Sequence, residues 1–243
     1  MKQNIVITGG TSGVGFSIAK DLSIDHNIII IGRNKTKGEL QAEKLGKNVT
    51  FIQADLASDI SNLVYKINAR FKNIDTLLLS SGIMPENKND NISNNLMSHY
   101  NTVNNLLPLL NGGNVLLITG NPHAIDIIPI CEQQGNYIER MSWVVTHKTL
   151  LMVYLSQILK EYHIRVNSFF PGDVKSDLMP YTQNLSNTRV LMGRNIILDE
   201  SLKEKNGVFF DQDGSEVTVN KNKYSFNRAE KILTEYLKVD LRQ

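Results

Sequence analysis

The stretch Thr8-Gly9-Gly10-Thr11-Ser12-Gly13-Val14-Gly15 decides the fold. It follows a short apolar run, Asn4 to Ile7, and opens into a helical pattern, Phe16 to Leu22. A strand, a glycine-rich turn and a helix in that order suit the phosphates of a dinucleotide. Gly9 lets the chain leave the strand in a tight turn. Gly13 and Gly15 leave room for backbone to approach a pyrophosphate and for the helix to lie close to the sheet. The helix N-terminus then presents free N–H groups and a positive dipole end to an anion. Thr11, Ser12 and Val14 belong to the same turn and are assigned with the glycines to a cofactor.

Outward from this turn, apolar runs alternate with helical patterns over the first two thirds of the chain. The pattern predicts strands at 4–8, 27–32, 49–53, 75–80, 114–119 and 164–170, and helices at 14–24, 36–46, 59–72, 93–110 and 143–161. Val208-Phe209-Phe210 reads as a final strand and Arg228 to Leu237 as a final helix. Alternating strands and helices imply right-handed βαβ units, hence an α/β fold with a single doubly wound, Rossmann-like parallel sheet and helices on both faces. Ile28 to Ile31 and Val115 to Ile118 are continuous apolar runs, as strands buried on both faces require. No composition shift divides the 243 residues, so one domain over 1–243 is expected.

Composition narrows the function classes. An apolar fraction of 41% builds a core but is too low for a membrane protein. The first strand begins at Asn4, which predicts no secretory leader. The single cysteine, Cys131, excludes an intrachain disulfide and a cysteine-based zinc site, and fits a reducing cytoplasm. A net charge of +2 is spread along the chain without a basic block, so neither nucleic acid nor membrane is an expected partner. No His/Asp/Glu cluster has metal-ligand spacing.

After the second strand comes Gly32-Arg33-Asn34, with Lys37 close behind. A cofactor with a free ribose 2′-hydroxyl calls for Asp or Glu at this point, whereas Arg33 suits a 2′-phosphate by charge and bidentate geometry. Lys37 adds a second positive charge if the helix starts at Thr36. NADP(H) is therefore the expected cofactor.

The TGxxxGxG spacing resembles that of the short-chain dehydrogenases/reductases, and Gly32 to Glu39, Gly207 to Phe210 and Ala229 to Leu233 resemble the retinol-dehydrogenase-like branch of that family. The resemblance implies that Asp55, followed by Leu56, meets the adenine amino group. By the family pattern, Ser81 and Gly82 stand where Asn-Asn-Ala-Gly is usual. Pro171, Gly172, Val174 and Ser176 stand in the segment that cups the nicotinamide, with the Val174 backbone toward the carboxamide.

The family's chemistry uses a tyrosine, a lysine four residues later on one helical face, a serine at the end of the fifth strand and a water-holding asparagine. The resemblance places the lysine at Lys148 and the asparagine at Asn95. It then places the tyrosine position at Val144 and the substrate-binding serine at Gly120, so the usual proton donor and carbonyl ligand are both substituted. Thr119 carries a hydroxyl one residue early and faces away from the site unless the strand has ended. Other polar groups are Tyr137, His123, Cys131 and His147. Tyr137 is eleven residues before Lys148, about 16 Å along one continuous helix, so only a fold-back of 121–142 brings it near. His99 reads as packing.

Two functions follow. The first is an NADP(H)-dependent oxidoreductase that passes hydride to a small carbonyl, enone or imine with a non-standard proton donor. The second is a catalytically impaired, NADP(H)-binding regulatory protein on the same scaffold. A lyase or isomerase has no positive residue evidence. Relatives' pairing through helices 93–110 and 143–161 implies a homodimer or homotetramer.

Overall fold

Residues 2–58 and 60–237 are described by a computed structural model. Strands β1 (Asn4–Thr8), β2 (Asn27–Gly32), β3 (Val49–Gln53), β4 (Thr76–Leu79), β5 (Asn114–Ile118) and β6 (Arg165–Phe169) fall where the apolar runs predict them. With β7 (Phe209–Phe210) and β8 (Glu216–Val217) they form one sheet in the order β3-β2-β1-β4-β5-β6-β7-β8. All neighbours pair parallel except β8, which returns antiparallel on β7. The doubly wound, Rossmann-like parallel sheet expected from the sequence is present, and the antiparallel β8 extends its edge. The Asp211 to Ser215 turn reverses the chain, with Gly214 at φ +84 and Asp211 N–H donating to Ser215 O at 2.9 Å.

Side chains alternate across the strands and sort the core into two layers. Ile5, Ile7, Ile28, Ile30, Leu78 and Leu116 pack on one face with Ile18 and Leu22 of α1 (Gly13–Leu22). Val6, Ile29, Ile31, Leu77, Leu79, Val115 and Leu117 pack on the other. Each fully buried aliphatic side chain contributes roughly 1.5–3 kcal/mol, which explains why these runs tolerate no polar interruption. Helix α2 (Lys35–Leu45) carries Gly38 in its middle, and a Cβ there would lie 2.1 Å from the Phe51 ring. The glycine lets β3 pack directly against the helix.

The helical segments depart more from expectation. The helix expected over 59–72 is α3 (Leu63–Asn68), and its expected first residue, Asp59, lies outside the described residues. The helix expected over 93–110 is composite: α4 (Lys88–Asn91), a π-helical segment (Ile92–Met97), α5 (Ser98–Leu106) and a 3₁₀ turn at Pro108. A short helix α6 (Pro122–Ile127) follows β5. Helix α7 (Tyr137–Ile158) starts six residues before the predicted 143, because Asn136 and Glu139 form a capping box. Asn136 Oδ1 accepts from Glu139 N at 3.0 Å, and Glu139 Oε2 accepts in return from Asn136 N at 3.4 Å and also from Gly135 N at 2.7 Å. The N-x-x-E spacing that carries this start was readable in the sequence. Beyond β6 lie α8 (Pro180–Gln183), α9 (Gly193–Leu198) and α10 (Phe226–Leu233), the last ending before the predicted Leu237.

The chain runs from β1 to one side of the sheet through α1 and returns to the other side at β4. That switch point opens a crevice at the carboxyl ends of β1 and β4, where ligands bind in this architecture.

Candidate active site

A cleft of about 830 Å³ lies at this switch point. Every residue assigned to a cofactor or to catalysis from the sequence lines it, except Gly15. A Cβ on Gly15 would lie 2.6 Å from Gly9 O, so Gly15 holds the helix against the turn instead. Gly9 and Gly13 have φ of +66 and +54, conformations that glycine adopts without strain. Ser12 is the N-cap of α1, and its side chain makes no capping hydrogen bond. The first turn of α1 therefore meets the cleft with N–H groups left for an anion.

Thr8 organises the next loop, a role that no local sequence signal announces. Its buried Oγ1 accepts from Ser80 N at 3.1 Å and Ser81 N at 3.2 Å. Asn95 fixes the following residues: its Oδ1 accepts from Ile83 N at 2.9 Å and its Nδ2 donates to Ile83 O at 3.0 Å and Asn91 Oδ1 at 2.9 Å. Both amide hydrogens of Asn95 are thus committed to protein partners. A Cβ on Gly82 would lie 3.2 Å from Asn95 Oδ1 and 3.8 Å from Lys148 Nζ, so Gly82, Asn95 and Lys148 converge at one point.

Met141, Val144, Val145 and Lys148 line the cleft at helical i, i+3, i+4 and i+7 spacing, as one face of α7. Lys148 is 9% exposed, and no described residue gives its Nζ a hydrogen bond or ion pair. Burial pushes its pKa down from the ordinary 10.5 to about 8. His99 is fully buried nearby; burial first, then the Lys148 charge, pushes its pKa well below the ordinary range. Its Nδ1 lies 3.2 Å from Ser98 Oγ.

β5 ends at Ile118, so the alternation that would turn Thr119 away no longer applies. Thr119 lines the cleft, and its buried Oγ1 has no hydrogen-bond partner among the described residues. Gly120 follows, and a Cβ there would meet Val145 Cγ2 at 2.9 Å.

The remaining candidates are not brought to this point. Tyr137 begins the same continuous helix as Lys148, so the fold-back that would approach the lysine does not occur; its hydroxyl instead lies 3.8 Å from Met84 Sδ. His123 is exposed on α6, and Cys131 accepts from Gln133 N within its own loop. His147 points away from the cleft. Its Nε2 lies 3.0 Å from Glu132 Oε1, its Nδ1 lies 2.9 Å from Trp143 O, and its ring stacks on Trp143 at 4.0 Å.

At the other end of the cleft, Arg33 is exposed, and its guanidinium has no ion pair among the described residues. Asn34 caps α2 by accepting from Lys37 N at 2.9 Å. Asp55 Oδ1 accepts from Ala57 N at 3.2 Å, which closes a local turn rather than capping α3. Ser176 and Thr182 share a hydroxyl contact of 3.0 Å that ties α8 to the segment after β6.

The profile described as short chain dehydrogenase matches residues 3–129, more than half of the chain. The chain belongs to the short-chain dehydrogenase family. It is similar to the polyprenol dehydrogenases of Danio rerio (26% identical over 191 residues) and Homo sapiens (25% over 201). These matches take in 69% and 71% of the chain but only 57% and 61% of the relatives' own lengths. The 3-oxoacyl-[acyl-carrier-protein] reductase FabG of Chlamydia trachomatis is 27% identical over 236 residues, covering 88% of the chain and 92% of the relative. Among solved structures, a short chain dehydrogenase from Shigella flexneri complexed with NADP superposes with a TM-score of 0.73 at 20% identity, covering 87% of this chain and 97% of that one. A 3-ketoacyl-(acyl-carrier-protein) reductase from Brucella melitensis complexed with NADH gives 0.71 at 17%, covering 86% and 96%. Both share the fold. No helix among the described residues is long and apolar enough to cross a membrane.

Proposed function

We propose that this chain is an NADP(H)-dependent oxidoreductase that reduces a small apolar carbonyl, enone or imine, with Lys148 rather than a tyrosine as its proton source. The observation that carries the reading is the buried Lys148 ammonium, unpaired among the described residues and set beside Met141, Val144 and Val145 on the face of α7 that lines the cleft. We assign the chain to the retinol-dehydrogenase-like branch on its Gly32 to Glu39, Gly207 to Phe210 and Ala229 to Leu233 segments, and to the cytoplasm.

The residues present fit a dinucleotide. The uncapped N-terminus of α1 and the glycine turn hold the pyrophosphate, Arg33 holds the 2′-phosphate, and Asp55 meets the adenine. The Val174 backbone and Lys148 hold the nicotinamide riboside. When bound, NADPH supplies the hydride. Charge then develops on the substrate oxygen, and the Thr119 hydroxyl, buried and without a partner among the described residues, donates a hydrogen bond to it once its side chain turns toward the cleft. Lys148 delivers the proton through a water occupying the space beside Val144. A lysine with a pKa of about 8 is a far better acid at neutral pH than an ordinary one. An iminium substrate gains no oxyanion and needs no proton at this step. Names among the relatives, such as polyprenol dehydrogenase and 3-oxoacyl-[acyl-carrier-protein] reductase, support a carbonyl–alcohol couple on an apolar substrate.

One observation favours the second reading, a cofactor-binding protein without turnover. Val145 fills the space that a side chain at Gly120 would need, so the wall is packed against a serine there. NADPH consumption against a panel of aldehydes, ketones, enones and imines separates the two. The first reading expects turnover that disappears in Lys148→Met. Tight NADPH binding with no turnover, and activity only in a Val144→Tyr, Gly120→Ser, Val145→Ala variant, establishes the second.

A further inference from the structure

Lys37, which the sequence offers to a 2′-phosphate, is already engaged. Its Nζ donates to Asp177 Oδ2 at 3.0 Å, from a residue 140 positions further along the chain. Lys37 stands in the first turn of α2, one turn beyond Arg33. Asp177 stands on the segment after β6, next to Ser176, which approaches so closely that a Cβ on Gly13 would lie 2.9 Å from its Cβ. Arg33, Lys37 and Asp177 all line the cleft. The ion pair therefore bridges two walls of the cleft beside the guanidinium assigned to the 2′-phosphate. The two side chains are 39% and 76% exposed, so the bridge is screened by solvent and easily exchanged.

We propose that Asp177 is a specificity-determining residue that competes with the cofactor's 2′-phosphate for Lys37. The proposal rests on the reading that Arg33 and Lys37 hold that phosphate. A phosphate monoester brings three acceptor oxygens and a charge of about −1.5 to −2 at neutral pH, so it displaces a single carboxylate from the ammonium. The displaced Asp177 remains beside the phosphate as a like charge. A cofactor with a bare 2′-hydroxyl makes no such demand, and the Lys37–Asp177 bridge stays closed over it. Asp177 thus subtracts from the preference for NADPH that Arg33 and Lys37 set together, and leaves affinity for NADH nearly untouched.

Direct binding tests this without turnover. NADPH and NADH are titrated separately into the full chain at low ionic strength, by calorimetry and by the change in nicotinamide fluorescence. The proteins are the wild type, Asp177→Asn, Asp177→Lys and Arg33→Ala. Asp177→Asn is expected to tighten NADPH about three- to tenfold and Asp177→Lys further, with NADH changed little, and the gain shrinks as salt is added. Equal changes for both cofactors, or none, overturn the proposal, because a merely loosened segment does not sense the phosphate. Arg33→Ala separates the two levels. If it weakens NADPH while Asp177→Asn leaves the NADPH-to-NADH ratio alone, the competition is wrong and the cofactor reading stands. If Arg33→Ala leaves NADPH unchanged and NADH binds equally well, the cofactor reading fails and takes the proposal with it.

Discussion

The two faces of α7 carry neighbouring ionisable residues with opposite fates. On the back face His147 is fully buried but provided for: Glu132 and the Trp143 carbonyl meet its two ring nitrogens, and Trp143 stacks on it. On the front face Lys148 is nearly as buried and has no partner among the described residues. Glu132 also accepts from Trp143 Nε1 and from the Tyr236 hydroxyl. Burial alone would raise the Glu132 carboxyl; the hydrogen bonds from His147, Tyr236 and Trp143 outweigh it and lower its pKa to about 2. A satisfied buried group stabilises the fold, whereas an unsatisfied one costs stability and is kept where chemistry needs it.

Lys148→Met attacks the front face and carries the largest expected effect. Turnover falls by about 100-fold or more, the range typical of a lost general acid. Stability moves the other way. The folded-state pKa of about 8 lies below the ordinary 10.5. The folded protein therefore binds this proton more weakly than the unfolded chain, and the burial penalty is fully present below pH 8. Removing the charge in an unbranched apolar side chain of similar length should raise stability at pH 7 by about 1–3 kcal/mol, read by urea denaturation. In the wild type this contribution improves with pH between 8 and 10.5, and the variant lacks that rise.

The same ionisation predicts the pH dependence of reduction. The acid form of Lys148 predominates below about pH 8, so the rate of carbonyl reduction should be flat near neutrality and fall above that value. A profile that stays flat to pH 10 removes Lys148 as the acid. An iminium substrate, which needs no proton at this step, provides the internal control.

Glu132→Ala attacks the back face. It leaves His147 Nε2, Trp143 Nε1 and the Tyr236 hydroxyl without their shared acceptor, and should cost about 1–3 kcal/mol of stability with little change in turnover. The carboxyl's pKa is depressed, so its contribution is present above the ordinary 4.5 and fades as pH falls toward 2. A large loss of turnover with unchanged stability would reverse the assignment of the two faces.

The sheet was legible because buried parallel strands must be continuously apolar, and Ile28 to Ile31 leaves little alternative. Most of the cleft was legible for a related reason: positive-φ glycines and a helix start are backbone requirements that few residues meet. What stayed hidden depends on single side chains meeting across long separations. Thr8 reads in sequence as an ordinary strand end, yet its hydroxyl holds Ser80 and Ser81. Lys37 looked free for a phosphate because nothing local announces Asp177. The π-helical segment over Ile92–Met97 lies inside an unbroken helical period, and only the Asn95–Ile83 pairing marks its place against the loop after β4. The capping box at Asn136 is a local signal, but the apolar pattern of α7 starts later and marks a later helix start.

Gly120→Ser carries the smallest expected effect and tests whether the front wall is built to exclude a hydroxyl at that position. A Cβ on Gly120 would lie 2.9 Å from Val145 Cγ2 and 3.3 Å from Val145 Cγ1. A β-branched side chain on a helix has one strongly preferred rotamer, so Val145 cannot swing aside cheaply. The substitution should therefore cost about 1–2 kcal/mol, the lower part of the range for overpacking. Val145→Ala alone opens a gap and also destabilises, but together the two should cost less than their sum, with a coupling of about 0.5–2 kcal/mol in a double-mutant cycle. Additive costs would mean that the wall yields elsewhere. A serine could then enter without help from position 145, and the packing that favours the non-catalytic reading would lose its force.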